Sequence, residues 1–225
     1  TFEERGRRRV SCEFVVHPDR RGGGIGKTLL GHAIQSAQQQ GAHRLDVWAY
    51  NDSAASAHLA QSFGFRPSRR LLHLHRHTGD VPDALAVDGA RVRGFVPGTD
   101  DEQWLALNNR IFAGHPENGA WRLDDLRARF EQPWFNADDL LMLEVGGVLR
   151  GFCWIKVEER ANEGLVGEIY VIGTAPECRG LGLGRFLLAT GMQRLRERGT
   201  ILAAIYVDDA NRAAVSLYEA AGFHY

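Results

Sequence analysis

One short segment occurs twice in this chain, and each copy restricts its surroundings to a strand, a loop and a helix. The copies run from Pro18 to Gly26 and from Pro176 to Gly184, and both have the pattern Pro-x-x-Arg-x-x-Gly-x-Gly. An apolar run typical of a strand precedes each loop, and apolar residues at helical spacing follow it. Glycines allow successive backbone N–H groups to point at one position, and the first turn of a helix adds partial positive charge there. The segment therefore predicts a binding site for a phosphate or pyrophosphate.

Two better-known phosphate motifs do not match these loops. A nucleoside triphosphate loop requires Gly-x-x-x-x-Gly-Lys-Ser/Thr, and Gly26-Lys27-Thr28 supplies its end, but Arg21 stands where the first glycine is needed. A dinucleotide fingerprint requires Gly-x-Gly-x-x-Gly, and Arg185 stands where the third glycine of that pattern is needed. The loops therefore indicate a different class of phosphate site.

Around the first loop, the spacing of apolar residues predicts an α/β arrangement. Three strands alternate with two helices, and the helices are expected to end at Gly41 and Gly64. The strands are predicted at residues 10–16, 44–50 and 71–75, and the helices at 29–41 and 51–63.

The longer second part predicts a mixed sheet, so the fold class is α/β with α+β character. The Gly146-Gly147 pair between two apolar runs is typical of a hairpin turn and predicts antiparallel pairing there. Residues 158–164 are polar and are predicted to form a mobile loop. Strands are expected at residues 91–96, 140–145, 148–157, 167–174 and 203–207, and helices at 101–112, 124–130, 186–197 and 211–221.

The two copies belong to a longer repeat. Gly24 and Gly182 are 158 residues apart, and so are Gly64 and Gly222. Equal spacing without a gap predicts a duplicated domain. We expect a non-catalytic first domain at residues 1–78, a linker at 79–89 and a catalytic second domain at 90–225. The second copy has about 75 residues ahead of its glycine-loop strand and the first has fewer than ten, so we expect the first domain to lack its N-terminal half.

Composition limits the classes of partner. A net charge of −1 gives no electrostatic reason to bind nucleic acid, and 44% hydrophobic residues is ordinary for a folded domain. No stretch approaches the 18 or so consecutive apolar residues that a membrane helix requires. We therefore expect a cytoplasmic protein that binds neither nucleic acid nor membrane, and we expect a monomer.

Neither the cysteines nor the histidines favour a reactive or metal site. Cys12, Cys153 and Cys178 lie far apart, which argues against a disulfide framework or a zinc knuckle. Cys178 lies in the second glycine loop, but Arg20 occupies the same position in the first, so a tolerated loop position is favoured over a nucleophile.

Three histidines at alternate positions of one predicted strand raise the question of a metal site. They project to one side of the strand, and no carboxylate or thiol lies beside them in sequence. A polar strand face explains such alternation more simply. We therefore expect no metal at His73, His75 and His77.

The copies differ at two positions that matter for proton transfer. Glu168 stands in the second copy where the first has Val10, and Tyr218 stands where the first has Ala60. A carboxylate acting through water can deprotonate an amine, and a phenol with a pKa near 10 can protonate a departing thiolate. Glu168 and Tyr218 are therefore the candidate catalytic base and acid, and only the second copy has them.

The Pro-x-x-Arg-x-x-Gly-x-Gly loop between a strand and a helix resembles the acyl-coenzyme A loop of the GCN5-related N-acetyltransferases. The resemblance implies two tandem domains of this family, acetyl-CoA as cosubstrate, no metal, and a pantetheine arm that binds the strand before the loop. The first copy is implied to be non-catalytic but able to hold acetyl-CoA. In the second copy the implied coenzyme contacts are Ile172, Gly173, Thr174, Arg179, Gly180, Leu181, Gly182, Leu183, Gly184, Arg185 and Asn211, and in the first they are Phe14, Val15, Val16, Arg21, Gly22, Gly23, Gly24, Ile25 and Gly26.

Further motifs narrow the resemblance to one group of tandem members. They are Phe112 to Gly119, Gln132 to Phe135, Gly151 to Lys156, Gly167 to Gly173 and Tyr206 to Asp208. That group acetylates the cysteinyl α-amine of a cysteine-glucosamine-inositol compound. The resemblance implies a small-molecule amine as partner, bound by Glu117, Lys156, Glu168 and Tyr206. Cys153 departs from the Gly-Phe-His-Trp pattern of the group, which puts local substrate contacts in question.

Two alternative functions remain open from the sequence. A tandem acetyltransferase could act on another amine, such as an aminoglycoside or a peptide N-terminus. A protein of a different class, a non-catalytic acyl-CoA sensor or interaction module, would bind coenzyme in both halves without releasing its thiol. The acceptor that triggers thiol release distinguishes these functions.

Overall fold

A computed structural model describes residues 2–4, 7–50, 53–79, 86–115, 118–160 and 164–225 of the chain. The chain divides into two compact units, residues 1–68 and residues 69–225. Each unit is described by itself below.

The first unit is a small sheet with two helices. Strand β2 pairs in parallel with β3, so that Val10 lies opposite Leu45, and β1 adds to the other edge of β2 in antiparallel orientation. Among its described residues, the buried apolar side chains are Val10, Leu30 and Ala37. The elements are β1 (Phe2–Glu4), β2 (Arg7–Glu13), α1 (Ile25–Gln39), β3 (Arg44–Trp48) and α2 (Ala54–Ser62).

The second unit is built on a six-stranded mixed sheet in the order β4-β9-β8-β7-β6-β5. Every neighbouring pair is antiparallel except β8 and β9, which run parallel. The predicted hairpin turn at Gly146-Gly147 joins β6 to β7. The elements are β4 (Leu71–His77), β5 (Ala90–Gly94), α3 (Asp101–Ile111), α4 (Leu123–Phe130), β6 (Leu140–Val145), β7 (Val148–Arg160), β8 (Gly164–Thr174), α5 (Leu183–Glu197), β9 (Leu202–Asp208) and α6 (Arg212–Ala220).

Aromatic side chains fill much of the core of this unit. Trp154 on β7 is fully buried and lies edge-on to Trp104 of α3, with ring centroids 5.6 Å apart. Trp121, Trp134 and Tyr170 surround the same ring. Burial of such large rings dominates core energetics, so this cluster gives the centre of the sheet a rigid base.

The predicted repeat is present in the structure. Helices α1 and α5 have equal lengths and begin at equivalent positions, and so do α2 and α6. The glycines that start α1 and α5 both adopt left-handed conformations, with φ of 83° at Gly24 and 77° at Gly182. Because the backbone repeats in conformation as well as in sequence, the two loops are copies of one structural device.

Strand β4 lies elsewhere than the sequence analysis predicted. It was expected as the last strand of the first copy, within residues 1–78, but it pairs along its whole length with β9 of the second unit. Leu72 and Leu74 are buried there, and His75 exchanges two backbone hydrogen bonds with His224. An edge strand is assigned by its pairing partner and not by its place in the chain, which is why the repeat was misleading. Part of the predicted linker, residues 80–85, lies outside the described residues.

The polar segment at residues 158–164 was predicted as a mobile loop, and this was wrong at both of its ends. Strand β7 continues to Arg160 and β8 begins at Gly164, with Glu158 opposite Val166. Cross-strand pairing extends the ladder into residues whose polarity alone suggests a loop. Residues 161–163 lie outside the described residues.

No helix within the described ranges is both long and apolar enough to cross a membrane.

Candidate active site

The sheet of the second unit opens between two parallel strands. Pairing of β8 with β9 ends at Ile169 and Ile205, although β8 continues to Thr174 and β9 continues to Asp208. Beyond that point, the β9-facing edge of β8 has no strand partner in the described chain. An unpaired strand edge can hydrogen-bond an extended ligand as an additional strand would.

Two local features produce this opening. The register of β8 against β7 shifts between Trp154 and Ile155, which leaves Tyr170 as an extra residue in β8. Such bulges bend a strand and re-aim its side chains. Gly173 then passes close under α3, because a Cβ placed there would meet the Ile111 side chain at 2.7 Å. The glycine is therefore required for packing, whether or not its backbone also binds a ligand.

The second glycine loop has the geometry expected of a pyrophosphate site. Gly180 and Gly182 have φ of 82° and 77°, and a Cβ at either position would meet nothing within 4 Å. Helix α5 begins at Leu183 with no side-chain cap. Among the described residues, no acceptor bonds the N–H groups of Gly180, Gly182 and Leu183. Unpaired N–H groups at a helix start are suited to an anion.

Side chains around the loop fix its position. Glu177 accepts a hydrogen bond from Arg150 at 2.7 Å and lies 3.3 Å from Arg110, which connects the loop to β7 and α3. Leu183 is buried in the core, so its backbone alone is available to a ligand. Arg179, within the loop, and Arg185, in the first turn of α5, are both exposed.

The first unit repeats the loop geometry without the long strand that leads into it. Gly22 and Gly24 adopt the same left-handed φ as their counterparts, and Gly26 packs on Leu59 as Gly184 packs on Leu217. Strand β2 ends at Glu13, however. Phe14 to Val16 therefore lie outside the strand, although the sequence analysis predicted a strand there, and Val15 is 84% exposed.

A cleft of about 250 Å³ lies on the second unit. Glu168, Tyr170 and Val171 of β8 contribute to it, and Tyr206 and Asp208 of β9 do so across the opening between these strands. The other lining residues are Arg69, Leu71, His115, Asn118, Trp121 and Arg129.

Glu168 lies on β8 directly opposite Lys156 of β7. Burial raises the pKa of the Glu168 carboxyl and nearby Glu158 raises it further, while the positive charges of Lys156 and Arg160 lower it; the net shift is upward. A carboxylate of raised pKa holds a proton more readily, which suits a general base.

Two further predicted substrate residues surround Glu168. Lys156 pairs with Glu158 at 2.8 Å and lies 5.5 Å from the Trp134 ring centroid. Tyr206 is half exposed, and its ring stacks on His73 of β4 with centroids 4.1 Å apart. Burial and the nearby Glu168 raise the pKa of the Tyr206 phenol, so this phenol stays protonated and can donate hydrogen bonds.

Tyr218 lies on α6 and not among the residues that line the cleft. Its side chain is 6% exposed and packs on Phe223, and within the described chain its hydroxyl has no hydrogen-bond partner. Burial, followed by the nearby Cys153 thiol, raises the pKa of the Tyr218 phenol. The Cys153 thiol is itself fully buried, which raises its pKa to about 12, so it stays neutral. Tyr218 is therefore a buried, protonated phenol that does not line the cleft to which Glu168 contributes.

Of the other predicted site residues, Asn211 has a structural role in the fold and Glu117 is not described. Asn211 caps α6 by accepting a bond from the Ala214 N–H at 3.2 Å, as Ser53 caps α2, so it has a structural role apart from the predicted coenzyme contact. Glu117 lies outside the described residues. No group of three potential metal ligands occurs in the described ranges.

Sequence reasoning assigned no role to several polar residues of the cleft. Arg69 pairs with Asp208 at 2.6 Å and approaches His115 at 3.4 Å. Arg129 donates to the Tyr170 hydroxyl at 2.9 Å. Arg69 and Arg129 lie outside the motifs, and His115 and Asp208 lie within two of them, but the motifs alone did not identify a role for either residue. Asp208 follows Tyr206 at an alternate strand position, which is the one signal that could have identified it.

Comparison with known proteins gives consistent results. The profile of the acetyltransferase (GNAT) family matches residues 2–65 and 102–223. The chain is 45% identical to a mycothiol acetyltransferase of Thermobispora bispora, over 95% of this chain and 72% of the relative. It is 44% identical to a mycothiol acetyltransferase of Thermomonospora curvata, over 95% of this chain and 70% of the relative. The resemblance inferred from the motifs is confirmed.

Two solved structures share the fold. A GCN5-related N-acetyltransferase from Sphaerobacter thermophilus has a TM-score of 0.79 at 22% identity, covering 95% of this chain and 69% of that one. A tandem GNAT protein of the clavulanic acid pathway has a TM-score of 0.72 at 17% identity, covering 95% and 71%. These likenesses confirm the predicted fold class of tandem domains with a mixed sheet.

Proposed function

Because the chain belongs to the acetyltransferase (GNAT) family and, within it, to the mycothiol acetyltransferases, we propose that it acetylates the cysteinyl α-amine of a cysteine-glucosamine-inositol acceptor, with acetyl-CoA as donor. This transfer is the last step of mycothiol biosynthesis. The observation that carries the proposal is the position of Glu168, which lines the cleft on the same strand that leads into the glycine loop.

The residues of the second unit fit acetyl-CoA. The open edge of β8 at Ile172, Gly173 and Thr174 would hydrogen-bond the pantetheine amides, and the N–H groups of the loop would hold the pyrophosphate. Arg179 and Arg185 would add charge-assisted bonds. When bound, acetyl-CoA supplies an acyl group activated as a thioester.

Glu168 would act as the general base. An α-amine with a pKa near 7.7 to 8.0 is mostly protonated at pH 7, and a carboxylate acting through one water can accept its proton. The neutral amine nitrogen then forms a bond to the thioester carbonyl carbon. The raised pKa of Glu168 brings this base closer to the pKa of the amine that it deprotonates.

Tyr218 would act as the general acid. When the carbon–sulfur bond breaks, the electron pair remains on sulfur, and the phenol donates its proton to that thiolate. Its buried hydroxyl has no competing partner in the described chain and stays protonated at neutral pH. Val10 and Ala60 stand at the corresponding positions of the first unit, so that unit would hold coenzyme without performing the transfer.

Labelled acetyl-CoA tests the function directly. We expect the chain to transfer label to the cysteine-glucosamine-inositol compound, detected by mass spectrometry, with release of one coenzyme thiol per product. An aminoglycoside and a peptide with a free N-terminus serve as competing acceptors. Preferential labelling of either would replace the proposed acceptor, and coenzyme binding without transfer to any amine would support a sensor instead.

A further inference from the structure

We propose that Arg129 is a specificity-determining residue of the acceptor cleft. Its guanidinium binds two neighbouring neutral oxygen atoms of the acceptor, such as vicinal hydroxyls of a sugar or cyclitol, and it excludes acceptors that carry a second cation. The inference rests on the proposed function, because it concerns the acceptor that Glu168 deprotonates.

Two contacts fix the orientation of Arg129, which lies in the last turn of α4. Its Nε donates to the Tyr170 hydroxyl at 2.9 Å, and its guanidinium carbon lies 5.1 Å from the Trp121 ring centroid. Both partners are held by the aromatic core, since Tyr170 and Trp121 each pack edge-on to Trp154. A side chain that is already ordered loses little conformational entropy when a ligand binds.

Most N–H donors of Arg129 form no hydrogen bond within the described residues. A guanidinium has five N–H donors in a planar fork, and within the described ranges Arg129 uses Nε alone. No described carboxylate forms a salt bridge with it, whereas Arg69 pairs with Asp208 and Lys156 pairs with Glu158. Among the described residues, its two terminal nitrogens have no hydrogen-bond acceptor, so they can bind a ligand in the cleft.

The cleft therefore contains both an acidic group, Glu168, and a positively charged group, Arg129. Glu168 attracts an amine, and the fork of Arg129 suits a pair of adjacent oxygen atoms bound by two parallel N–H···O bonds. A second ammonium would be repelled by the guanidinium, because no described carboxylate neutralises its charge. An acceptor carboxylate would bind the fork, but its negative charge in the same cleft would raise the pKa of Glu168 further. Neutral hydroxyl oxygens can accept hydrogen bonds from the guanidinium without being repelled by it and without raising the pKa of Glu168.

Steady-state kinetics of three variants test the role of Arg129. For Arg129→Gln we expect the KM of the cysteine-glucosamine-inositol acceptor to rise roughly 10- to 100-fold, the range for losing hydrogen bonds from a charged donor, with kcat and the KM of acetyl-CoA unchanged. Arg129→Lys keeps the charge without the fork and should give an intermediate rise. Arg127→Gln removes an exposed arginine of the same helix that does not line the cleft, and should have no effect.

A truncated acceptor separates the oxygen pair from the rest of the molecule. Cysteinamide has the amine but no vicinal hydroxyls, so its KM should be equal in the unchanged protein and in Arg129→Gln. Should Arg129→Gln fail to fold, as judged by thermal denaturation, Tyr170→Phe removes the hydroxyl that orients Arg129 and should raise the acceptor KM by a smaller factor.

The outcomes distinguish this inference from the proposed function. An unchanged protein that transfers acetyl groups to no cysteinyl acceptor overturns the proposed function and the inference with it. If the unchanged protein transfers acetyl groups but Arg129→Gln has the same acceptor KM, the inference is overturned and the proposed function stands. An equal rise in KM for cysteinamide also overturns it, because the fork would then bind the cysteinyl part. An aminoglycoside should be a better acceptor for Arg129→Gln than for the unchanged protein.

Discussion

At the scale of single residues, the candidate base is set by charges that oppose one another. Burial and Glu158 raise the pKa of Glu168, and Lys156 and Arg160 lower it. Lys156 lies opposite Glu168 on β7 and Glu158 lies two residues further along the same strand. The pKa of Glu168 can therefore be raised or lowered by substituting neighbouring charged residues, without substituting Glu168 itself.

Two substitutions on β7 should move the acid limb of the pH profile in opposite directions. Lys156→Met removes a positive charge that lowers the pKa of Glu168, so the pKa rises and the acid limb of kcat/KM moves to higher pH. Glu158→Gln removes a negative charge that raises this pKa, so the limb moves to lower pH. Because the acceptor amine titrates identically in both variants, the difference between them reports Glu168. Shifts of the same sign, or none, would remove Glu168 from the titration.

The left-handed glycine that starts α5 should matter to coenzyme binding as well as to stability. Gly182→Ala places a Cβ on a residue with φ of 77°, at a cost of about 1 to 2 kcal/mol. If the loop relaxes to relieve this strain, its N–H groups no longer converge, and the KM of acetyl-CoA rises by up to roughly 10-fold. Gly98→Ala is the matched control, since Gly98 has φ of 78° in an exposed turn outside the site. A loss of thermal stability alone in both variants would argue against the loop as the pyrophosphate site.

Some residues of the site were readable from the sequence and others were not. Glu168 was identified because the repeat offers an internal comparison, with Val10 in its place. Arg129 and Arg69 were missed because their roles depend on which side chains they contact after folding, and sequence spacing carries no such information.

At the scale of elements, the order and type of most helices and strands followed from apolar periodicity and glycine positions. Helix α5 was predicted to begin three residues late, since its first turn is occupied by the glycine loop and shows no apolar period. Strand β4 was predicted as a strand, but it was assigned to the first domain, whereas it pairs with β9 in the second unit. Its alternating pattern specifies a half-buried strand, whereas its partner β9 is specified only by tertiary packing.

Strand β4 should be required for the stability of the second unit. A chain of residues 69–225 keeps the β4–β9 ladder and should unfold cooperatively, while a chain of residues 80–225 exposes β9 and loses the buried Leu72 and Leu74. Burial of two leucine side chains contributes at least about 3 kcal/mol, so the shorter chain should have a clearly lower free energy of unfolding in urea. Equal midpoints for the two chains would show that β4 contributes little.

At the scale of the whole molecule, the chain is a duplication in which the same glycine loop geometry occurs twice. The candidate proton-transfer residues Glu168 and Tyr218 occur only in the second copy. The loop φ angles agree between the units, and helices α1 and α2 correspond position by position to α5 and α6. What differs is the strand leading into the loop: β8 is long, bulged and open on one edge, and β2 ends before the equivalent segment. Equal loops and unequal strands are the structural difference on which the proposal of a single catalytic unit rests.

The most direct test replaces Glu168 and measures turnover and coenzyme binding on the same preparation. We expect Glu168→Gln to lower kcat by roughly 10²-fold or more, because general-base catalysis contributes about that much, and to leave the affinity for acetyl-CoA unchanged in calorimetry. Glu159→Gln, which removes an exposed carboxylate at the far end of β7, is the control and should retain full turnover. Undiminished turnover in Glu168→Gln would contradict the assignment of the base and with it the claim that proton transfer is confined to the second unit.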